Sequence, residues 1–393
     1  MKKVMLVFGT RPEAVKMCPL VNELKSRNGI QTVVCVTGQH RNMLDSVLDA
    51  FHVVPDYDLS IMKENQTLFD IMSGVLSAIR PVLEAERPDV VLVHGDTSTA
   101  FAAALACFYL RIPVGHVEAG LRTYNIDSPY PEEFNRQAVG ILGRFHFAPT
   151  AEAAAHLIRE GRDPESVFVT GNTVIDAMKY TVREDYTHPE LAWAENHRLI
   201  FITAHRRENL GVPMRHMFRA IRRVLEEHPD CRAVYPIHMN PQVRAAAEEE
   251  LAGCENMHLI EPVSVVDCHN FEARCFLCLT DSGGIQEECP SFGRPVLVMR
   301  DTTERPEGVS AGVLRLVGTE EETIYRNFKE LLEDPSAYEA MARACSPFGD
   351  GHACERIADI LETGHYEPWA GKKGEERCAF WRQELPTQEE EGK

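Results

Sequence analysis

The sequence lacks an apolar run long enough to cross a bilayer. Met1–Lys3 leads directly into a predicted strand, so we expect no signal peptide. Positive charge is also in short supply, because 41 Lys and Arg against 60 Asp and Glu give a formal net charge of -19. Such a surface repels nucleic acid and anionic membranes, and we expect neither as a partner. It does not exclude a small anion held in a locally basic cleft.

Three common motifs are absent: G-x-G-x-x-G, the Walker A sequence and H-E-x-x-H. Nothing therefore predicts a tightly held nicotinamide, an NTPase or a zinc peptidase. The twelve cysteines lack the regular spacing of a secreted disulfide scaffold, which favours reduced thiols in a cytoplasmic protein. Cys275 and Cys278 form a C-x-x-C pair, but it falls inside a predicted strand and has no second pair at zinc spacing. We interpret it as structural and expect no metal.

Strand-length apolar runs alternate with helical stretches along most of the 393 residues. Near-continuous apolar strands separated by helices indicate parallel sheets covered on both faces. The pattern occurs twice and predicts two doubly wound, Rossmann-like domains, with the break between about residues 171 and 197. The predicted strands are Val4–Gly9, Gln31–Thr37, Val90–Asp96, Val114–Gly120, Phe145–Pro149 and Val167–Thr170, and then Leu199–Thr203, Ala233–His238, Met257–Glu261, Phe276–Asp281 and Pro295–Met299.

Ligands of open parallel sheets bind beyond the carboxyl ends of the strands. The residues that follow the predicted strands therefore carry the functional signal, and they are rich in charge and glycine. They are Thr10-Arg11, Asp96-Thr97, Glu118-Ala119-Gly120, His205-Arg206-Arg207 and Ser282-Gly283-Gly284.

The first helix begins with a feature that needs an explanation. Thr10 is a suitable N-cap, Glu13 completes a capping box and Pro12 suits the first turn. Arg11, however, stands at the positive end of the helix dipole, with Lys16 one turn further along. Cations are unfavourable there unless an anion lies close by. The pattern predicts an anionic ligand.

The second half of the chain offers two anion-binding candidates. Ser282-Gly283-Gly284 precedes a short helix, where backbone amides approach a phosphate and Glu288 can accept ribose hydroxyls. An ordinary strand-to-helix turn is the alternative. The three cations of His205-Arg206-Arg207 are costly after a buried strand unless they face an anion. An internal ion pair with Glu208 is the alternative there.

Several carboxylates are predicted to lie at the carboxyl edge of the first sheet. Asp96 and Glu118 end strands that we expect to be neighbours, and Glu132-Glu133 begins a helix on the same side. Carboxylates whose environments separate their pKa values suit acid–base chemistry. Helix caps and ion pairs with Arg122 and Arg136 are the alternative. The residues alone thus indicate an enzyme that handles a nucleotide-linked sugar across a cleft between two domains.

The arrangement of motifs closely resembles that of the non-hydrolysing UDP-N-acetylglucosamine 2-epimerases, from the first strand to about residue 362. The matching stretches are FGTRPEAVKMCPL, TGQHRNML, VLVHGDTSTA, GHVEAGLRT, YPEEFNRQ, TAHRRENLG, YPIHMNP and LTDSGGIQEECPSFGRPVLVMRDTTERPEG. Each alone is a weak signal, but eight in order are specific.

The resemblance implies a glycosyltransferase-B-like fold. We expect an N-terminal domain over residues 1–171, joined by a C-terminal helix near 349–362, and a UDP-binding domain over 172–348. Residues 366–393 are charged and are predicted to form a loose tail. The resemblance also implies a cytoplasmic homodimer that needs no cofactor and interconverts UDP-N-acetylglucosamine and UDP-N-acetylmannosamine. The reaction would eliminate UDP to give 2-acetamidoglucal and then re-add it.

By resemblance, each site residue receives a role. The catalytic residues would be Asp96, Glu118, Glu132 and His205, and the substrate-binding residues would be Arg11, Lys16, Ser282, Gly283, Gly284, Glu288 and Arg305. A second UDP-N-acetylglucosamine would act as an activator near Gln39, Asn42, Arg206 and His238. The alternative function is a UDP-sugar-dependent glycosyltransferase of the same fold.

Overall fold

The computed structural model describes residues 1–38, 41–63 and 66–370, except for the side chains of residues 41–43. The chain divides into two compact units. Unit 1 contains Met1–Tyr186, Ser264–Cys268 and the segment that begins at Pro347, and unit 2 contains Thr187–Val263 and His269–Ser346.

Unit 1 is built on a seven-stranded parallel sheet with the order β3-β2-β1-β4-β5-β6-β7. Its strands are β1 (Lys2–Phe8), β2 (Ile30–Val36), β3 (Tyr57–Asp58), β4 (Val90–His94), β5 (Val114–Val117), β6 (Phe145–Ala148) and β7 (Val167–Val169). Its helices are α1 (Arg11–Ser26), α2 (Arg41–Ala50), α3 (Leu68–Glu86), α4 (Ser98–Tyr109), α5 (Glu132–Leu142), α6 (Ala151–Arg159) and α7 (Thr173–Thr181).

Unit 2 repeats this architecture on a six-stranded parallel sheet with the order β10-β9-β8-β11-β12-β13. Its strands are β8 (Arg198–Thr203), β9 (Cys231–Pro236), β10 (Met257–Ile260), β11 (Leu277–Thr280), β12 (Val296–Val298) and β13 (Leu314–Leu316). The remaining helices are α8 (Pro189–Trp193), α9 (Val212–Glu227), α10 (Pro241–Leu251), α11 (Val265–Arg274), α12 (Ile285–Glu288), α13 (Pro306–Ser310), α14 (Glu321–Glu333), α15 (Pro335–Ala342) and α16 (Ala353–Thr363).

The prediction of two Rossmann-like parallel sheets is confirmed. All eleven predicted strands form, although most begin or end one or two residues away from the predicted bounds. The sequence analysis missed β3 and β13, which contain two and three residues and are edge strands. Such short runs carry too little periodicity to be recognised. Each sheet has an apolar core, formed by Val7, Val91 and Ile79 in unit 1 and by Ile202, Phe218 and Leu279 in unit 2, among others.

The structural units depart from the predicted domains, because residues 172–186, 264–268 and 347–348 of the predicted second domain lie in unit 1. Residues 172–186 lie in unit 1, because α7 packs against α1. Helix α16 also packs against α1 in unit 1. Beyond α16, the Trp369 backbone N–H donates to the Val169 carbonyl at 2.9 Å, and its indole N–H donates to the Pro347 carbonyl at 3.0 Å. Tyr366 and Trp369 are thus packed on unit 1 instead of opening a loose tail, and residues 371–393 of that predicted tail lie outside the described residues.

The strand order places a topological switch point in each sheet, where crossover connections leave in opposite directions. In unit 1 it lies between β1 and β4, and in unit 2 between β8 and β11. Crevices at such points are the usual ligand sites of doubly wound sheets. Among the described residues, no helix combines the length and apolar character needed to span a membrane.

Candidate functional site

The loop after β1 presents a cation at the switch point of unit 1. Thr10 caps α1 by accepting a hydrogen bond from the Glu13 backbone N–H, and the Glu13 carboxylate accepts from the Gly9 and Thr10 backbone N–H groups at 3.0 and 2.8 Å. The predicted capping box is therefore present. Burial raises the pKa of Glu13, whereas these hydrogen bonds and one from Thr97 oppose the rise. Within residues 1–38, 41–63 and 66–370, Arg11 has no ion-pair or hydrogen-bond partner, so its guanidinium is available to a ligand.

Glu118 and Lys16 form an ion pair across this edge of the sheet. Lys16 lies one turn into α1 and Glu118 immediately follows β5; both side chains are about nine-tenths buried. The Asn172 amide donates to the same carboxylate oxygen at 2.7 Å, and His94 Nε2 lies 3.7 Å from it. Burial lowers the pKa of His94 to about 4, so this imidazole is neutral near pH 7. The carboxylate is thus paired with the cation of Lys16 and accepts from the neutral amide of Asn172.

The backbone at Glu118 adopts an unusual conformation. Its φ of 62° is in the left-handed region, which non-glycine residues occupy rarely and often at functional sites. Gly120 follows with a φ of 92°, and a Cβ built there would lie 2.1 Å from the Ala153 carbonyl oxygen. Glycine is therefore required at this position. The turn ends β5 abruptly and directs Glu118 toward Lys16 instead of continuing the strand.

Asp96 lies beside Glu118 because their strands are neighbours. β4 pairs with β5 in the register His94↔Val117, and Asp96 follows its strand by two residues. Its carboxylate contacts Arg136 at 2.5 Å, and its carbonyl accepts from the Asn135 amide at 2.9 Å. Asp96 retains some exposure, whereas Arg136 is buried. The ion pair that the sequence analysis gave as the alternative is therefore formed, and a buried cation holds an accessible carboxylate.

The two acids at the start of α5 differ in their surroundings. Glu133 is fully buried and accepts from the Thr123 and Tyr124 backbone N–H groups, each at 3.0 Å. It serves as a structural anchor for the loop that precedes α5. Glu132, the first residue of α5, is partly exposed. Of this pair, Glu132 is the one available for chemistry.

In unit 2, a buried carboxylate that the sequence analysis did not select organises the loop after β8. Asp281 has no exposed surface and accepts from the backbone N–H groups of His205 and Arg206 at 2.9–3.0 Å and from the Asn209 amide at 3.1 Å. His205 Nδ1 lies 3.7 Å from it. The position just after β11, beside β8, was a usable signal in the sequence. Asp281 joins the two loops of this switch point.

Two guanidinium groups flank the glycine loop after β11. A Cβ built on Gly283 would lie 3.3 Å from Arg206 Nη2 and 3.4 Å from Arg305 Nη1. Gln286 donates to the Ser282 carbonyl at 3.0 Å and so braces the loop. Any side chain at Gly283 would crowd these cations. The loop therefore places backbone amides and two cations around one position, which suits a phosphate group.

Two carboxylates hold the guanidinium of Arg305. Its Nε donates to the fully buried carboxylate of Glu287 at 2.7 Å, and its Nη1 lies 3.7 Å from Glu304. Glu288, which the sequence analysis assigned to ribose, lies near Gly284 and 3.8 Å from His269. The predicted substrate-binding residues Ser282, Gly283, Gly284, Glu288 and Arg305 are therefore neighbours in unit 2.

Two of the predicted regulatory residues, Arg206 and His238, lie on or beside the loop that follows β8. The imidazole of His238 stacks on that of His205, with ring centroids 5.3 Å apart. Arg206 is in the adjacent loop and faces Gly283. Gln39 lies outside the described residues, and Asn42 is in α2, where its side chain is not described.

Two alternatives from the sequence analysis also receive an answer. Glu208 pairs with Arg300 at 2.9 Å, and the structure gives it no ion pair with Arg206 or Arg207 within the described residues. Cys275 is a buried thiol whose sulfur lies 3.9 Å from that of Cys289. Across residues 1–38, 41–63 and 66–370, no group of His, Cys, Asp and Glu is arranged to hold a metal ion.

Comparison with known proteins identifies the family. Residues 22–362 match the sequence model of the family described as UDP-N-acetylglucosamine 2-epimerase. The chain is 57% identical over 359 residues to the UDP-N-acetylglucosamine 2-epimerase of Bacillus subtilis, covering 91% of this chain and 94% of that one.

Two solved structures extend the similarity to the fold. One is the Neisseria meningitidis UDP-GlcNAc 2-epimerase bound to UDP-GlcNAc, with a TM-score of 0.85, 47% identity and coverage of 91% of this chain and 99% of that one. The other is a Staphylococcus aureus protein in complex with UDP, with a TM-score of 0.86, 52% identity and coverage of 92% and 96%. The family match spans well over half of the sequence, and the relatives are similar along almost their whole length. The chain therefore belongs to the UDP-N-acetylglucosamine 2-epimerase family.

Proposed function

We propose that this enzyme reversibly epimerises UDP-N-acetylglucosamine at C2 to UDP-N-acetylmannosamine, by eliminating UDP and adding it back. The observation that supports this proposal most directly is the pair of carboxylates, Asp96 and Glu118, at the ends of adjacent strands, each held by a buried cation. Two relatives of this chain, 57% and 47% identical to it, are named UDP-N-acetylglucosamine 2-epimerases, and the second was solved with UDP-GlcNAc.

The chemistry explains why acids and anion-binding groups are both needed. The hydrogen at C2 is not adjacent to a carbonyl, so a carboxylate cannot simply remove it. As the bond between C1 and the diphosphate oxygen lengthens, C1 gains oxocarbenium character and the C2 hydrogen becomes acidic. Loss of that proton and departure of UDP give 2-acetamidoglucal. Re-addition of UDP at C1, with a proton delivered to the opposite face of C2, gives the epimer.

Unit 1 supplies the acid–base groups in this proposal. Asp96, Glu118 and Glu132 exchange protons with the sugar, and Lys16 forms an ion pair with Glu118. Arg11, which has no partner among the described residues, binds the diphosphate.

Unit 2 supplies the groups that stabilise the leaving UDP. Ser282, Gly283 and Gly284 offer backbone amides to the diphosphate, Arg305 adds charge, and Glu288 accepts the ribose hydroxyls. His205 assists at the leaving group or the sugar. Preorganised donors of this kind stabilise developing charge without reorganising during the reaction. Arg206, with His238, Gln39 and Asn42, is proposed to bind a second UDP-N-acetylglucosamine that activates the enzyme.

The proposed mechanism has a direct isotopic test. In heavy water, epimerisation through proton loss at C2 is expected to place deuterium at C2 of both recovered substrate and product, as read by mass spectrometry and NMR. Asp96→Asn and Glu118→Gln are each expected to lower turnover by ~100-fold or more. Epimerisation without deuterium at C2 would exclude the proposal.

The alternative, a UDP-sugar-dependent glycosyltransferase, is less well supported because the relatives described above are named epimerases. The same experiment separates the two functions, since glycosyl transfer leaves the C2–H bond intact. A hydrolysing epimerase would release free N-acetylmannosamine and UDP, which product analysis detects. We also propose a homodimer in the cytoplasm; the cysteines in the described part of the chain are free thiols, as expected in a reducing compartment.

A further inference from the structure

The stretch Gly171–Asp176 begins where the sequence analysis expected the break between domains, and the proposed function assigns it no role. In the structure it enters α7 of unit 1 and carries three buried polar side chains. One of them, Asn172, is only 2% exposed and reaches the carboxylate of Glu118. An asparagine in this place has both an acceptor and a donor to satisfy.

The two ends of the Asn172 amide have different partners. Its Oδ1 accepts from the Val174 backbone N–H at 3.1 Å and so caps α7. The cap requires the oxygen to face the helix, which leaves the NH₂ group on the other side, where Nδ2 donates to Glu118 Oε2 at 2.7 Å. The helix cap therefore sets the orientation of the amide toward the carboxylate.

The backbone of Asn172 is held from the opposite side by the C-terminal segment of unit 1. Its N–H donates to the Phe348 carbonyl at 2.7 Å. Gly171 has a φ of 86°, and a Cβ built there would lie 3.2 Å from the Gly349 Cα. A side chain at Gly171 would therefore crowd the segment that contains Gly349. Four residues later, Asp176 accepts from the backbone N–H groups of Ala353 and Cys354 and caps α16. Asn172 is thus fixed at both its side chain and its main chain.

We propose that Asn172 is a positioning residue that fixes the rotamer of Glu118 through a neutral hydrogen bond. Lys16 also contacts Glu118 Oε2, but its ammonium group carries three rotatable donors on a flexible stem. It therefore neutralises the charge of the carboxylate without fixing the direction of a hydrogen bond. The planar amide supplies a direction. Glu118 also occupies a left-handed backbone conformation, which persists only where the surrounding structure supports it. The inference rests on the proposed catalytic role of Glu118.

Three substitutions separate positioning from helix capping. Asn172→Ser keeps a side-chain cap, since serine is as good an N-cap as asparagine, but its hydroxyl is too short to serve Glu118 as well. We expect kcat to fall ~10- to 100-fold with KM changed less than about twofold, because misplacing a reacting group costs rate more than binding. Asn172→Ala removes the cap too and is expected to lower the urea midpoint, whereas Asn172→Ser leaves it unchanged.

Asn172→Asp keeps the cap and places a second carboxylate against Glu118. Among the described residues, the charged or titratable groups that face this point include Lys16 from α1, His94 from β4 and Glu118 itself. Two carboxylates at hydrogen-bond distance cannot both ionise readily, so they share a proton. We expect kcat at pH 8 to fall by ~100-fold. In the plot of kcat against pH, the acidic limb is expected to move to higher pH, which would not happen if Asn172 only capped α7.

Asp334 provides a control for helix capping, because its side chain caps α15 in the same way by accepting from the Ser336 backbone N–H at 2.8 Å. Asp334→Ser and Asp334→Asn are expected to leave kcat and the pH profile unchanged. If Glu118→Gln is inactive but Asn172→Ser and Asn172→Asp both keep the turnover and pH profile of the wild type, the inference is overturned. Full activity in Glu118→Gln would instead overturn the proposed function on which it rests.

Discussion

Unit 1 contains three buried histidines whose titration is predicted to make it unstable in acid. His94, His116 and His146 lie on the adjacent strands β4, β5 and β6 and are at most 4% exposed. Burial is the main cause that lowers their pKa values, to about 4 for His94, about 3 for His116 and about 4 for His146. His116 Nε2 also donates to the Gly95 carbonyl at 2.7 Å, and the charge of Arg162 lowers the pKa of His146 further.

The sign of the effect follows from the direction of the shifts. The unfolded chain binds these protons near pH 6.5, whereas the folded unit does not bind them until about pH 4 or lower. The stabilisation is therefore complete above pH 6.5 and is lost as the pH falls toward the folded pKa values. At pH 5 each histidine contributes a slope of about 1.4 kcal/mol per pH unit, or about 4 for the three together. Between pH 7 and pH 5 the loss is about 5 kcal/mol, comparable to the whole stability of many domains.

Buried acids of unit 1 oppose this trend, because burial raises the pKa of both Glu13 and Asp176. Burial raises the pKa of Asp176 to about 6, so the folded unit binds its proton before the unfolded chain does. Its contribution is present at low pH and is lost as the pH rises through 6, which offsets about 1.4 kcal/mol of the histidine effect at pH 5. The net change still favours unfolding in acid.

Urea unfolding followed by circular dichroism at half-unit steps from pH 7.5 to 5 measures this slope. His146→Leu removes one titrating group at similar volume and is expected to reduce the slope by about 1.4 kcal/mol per pH unit. Substitution of His365 by Leu at an exposed position is the control and is expected to leave it unchanged. A slope in His146→Leu equal to that of the wild type would refute the reasoning.

Two further substitutions test individual contacts. Gly120→Ala is expected to destabilise the protein by ~3 kcal/mol or more, because the new Cβ would lie 2.1 Å from the Ala153 carbonyl oxygen at a φ of 92°. Gly161→Ala, at a φ of 83° in open space, is the matched control and is expected to cost only ~1 kcal/mol in urea unfolding; equal losses would contradict the steric argument. Glu287→Gln weakens the ion pair that orients Arg305 and is expected to weaken UDP binding ~10-fold by isothermal titration calorimetry. Unchanged UDP affinity would show that Arg305 needs no partner to hold its position.

The sequence determined the secondary structure and the edge of each sheet that carries chemistry. Alternating apolar strands and helices have a strong local signature, so all eleven predicted strands were found and only the two short edge strands were missed. The polar residues just after the strands could be identified because parallel topology brings all carboxyl ends to one edge. The capping box of Thr10 and Glu13 is equally local, since both partners lie within one turn.

Only the tertiary structure showed which residues support the candidate site. Asp281 and Asn172 contact residues that are distant in the sequence, such as His205, 76 residues from Asp281, and Glu118, 54 residues from Asn172. The left-handed conformation of Glu118 likewise depends on packing against distant chain, as the contact of Gly120 with Ala153 illustrates. Local composition specifies helices, strands and caps because those interactions are short-range. Buried polar side chains find partners through the fold, and their pairing is decided only when the strands and helices pack together.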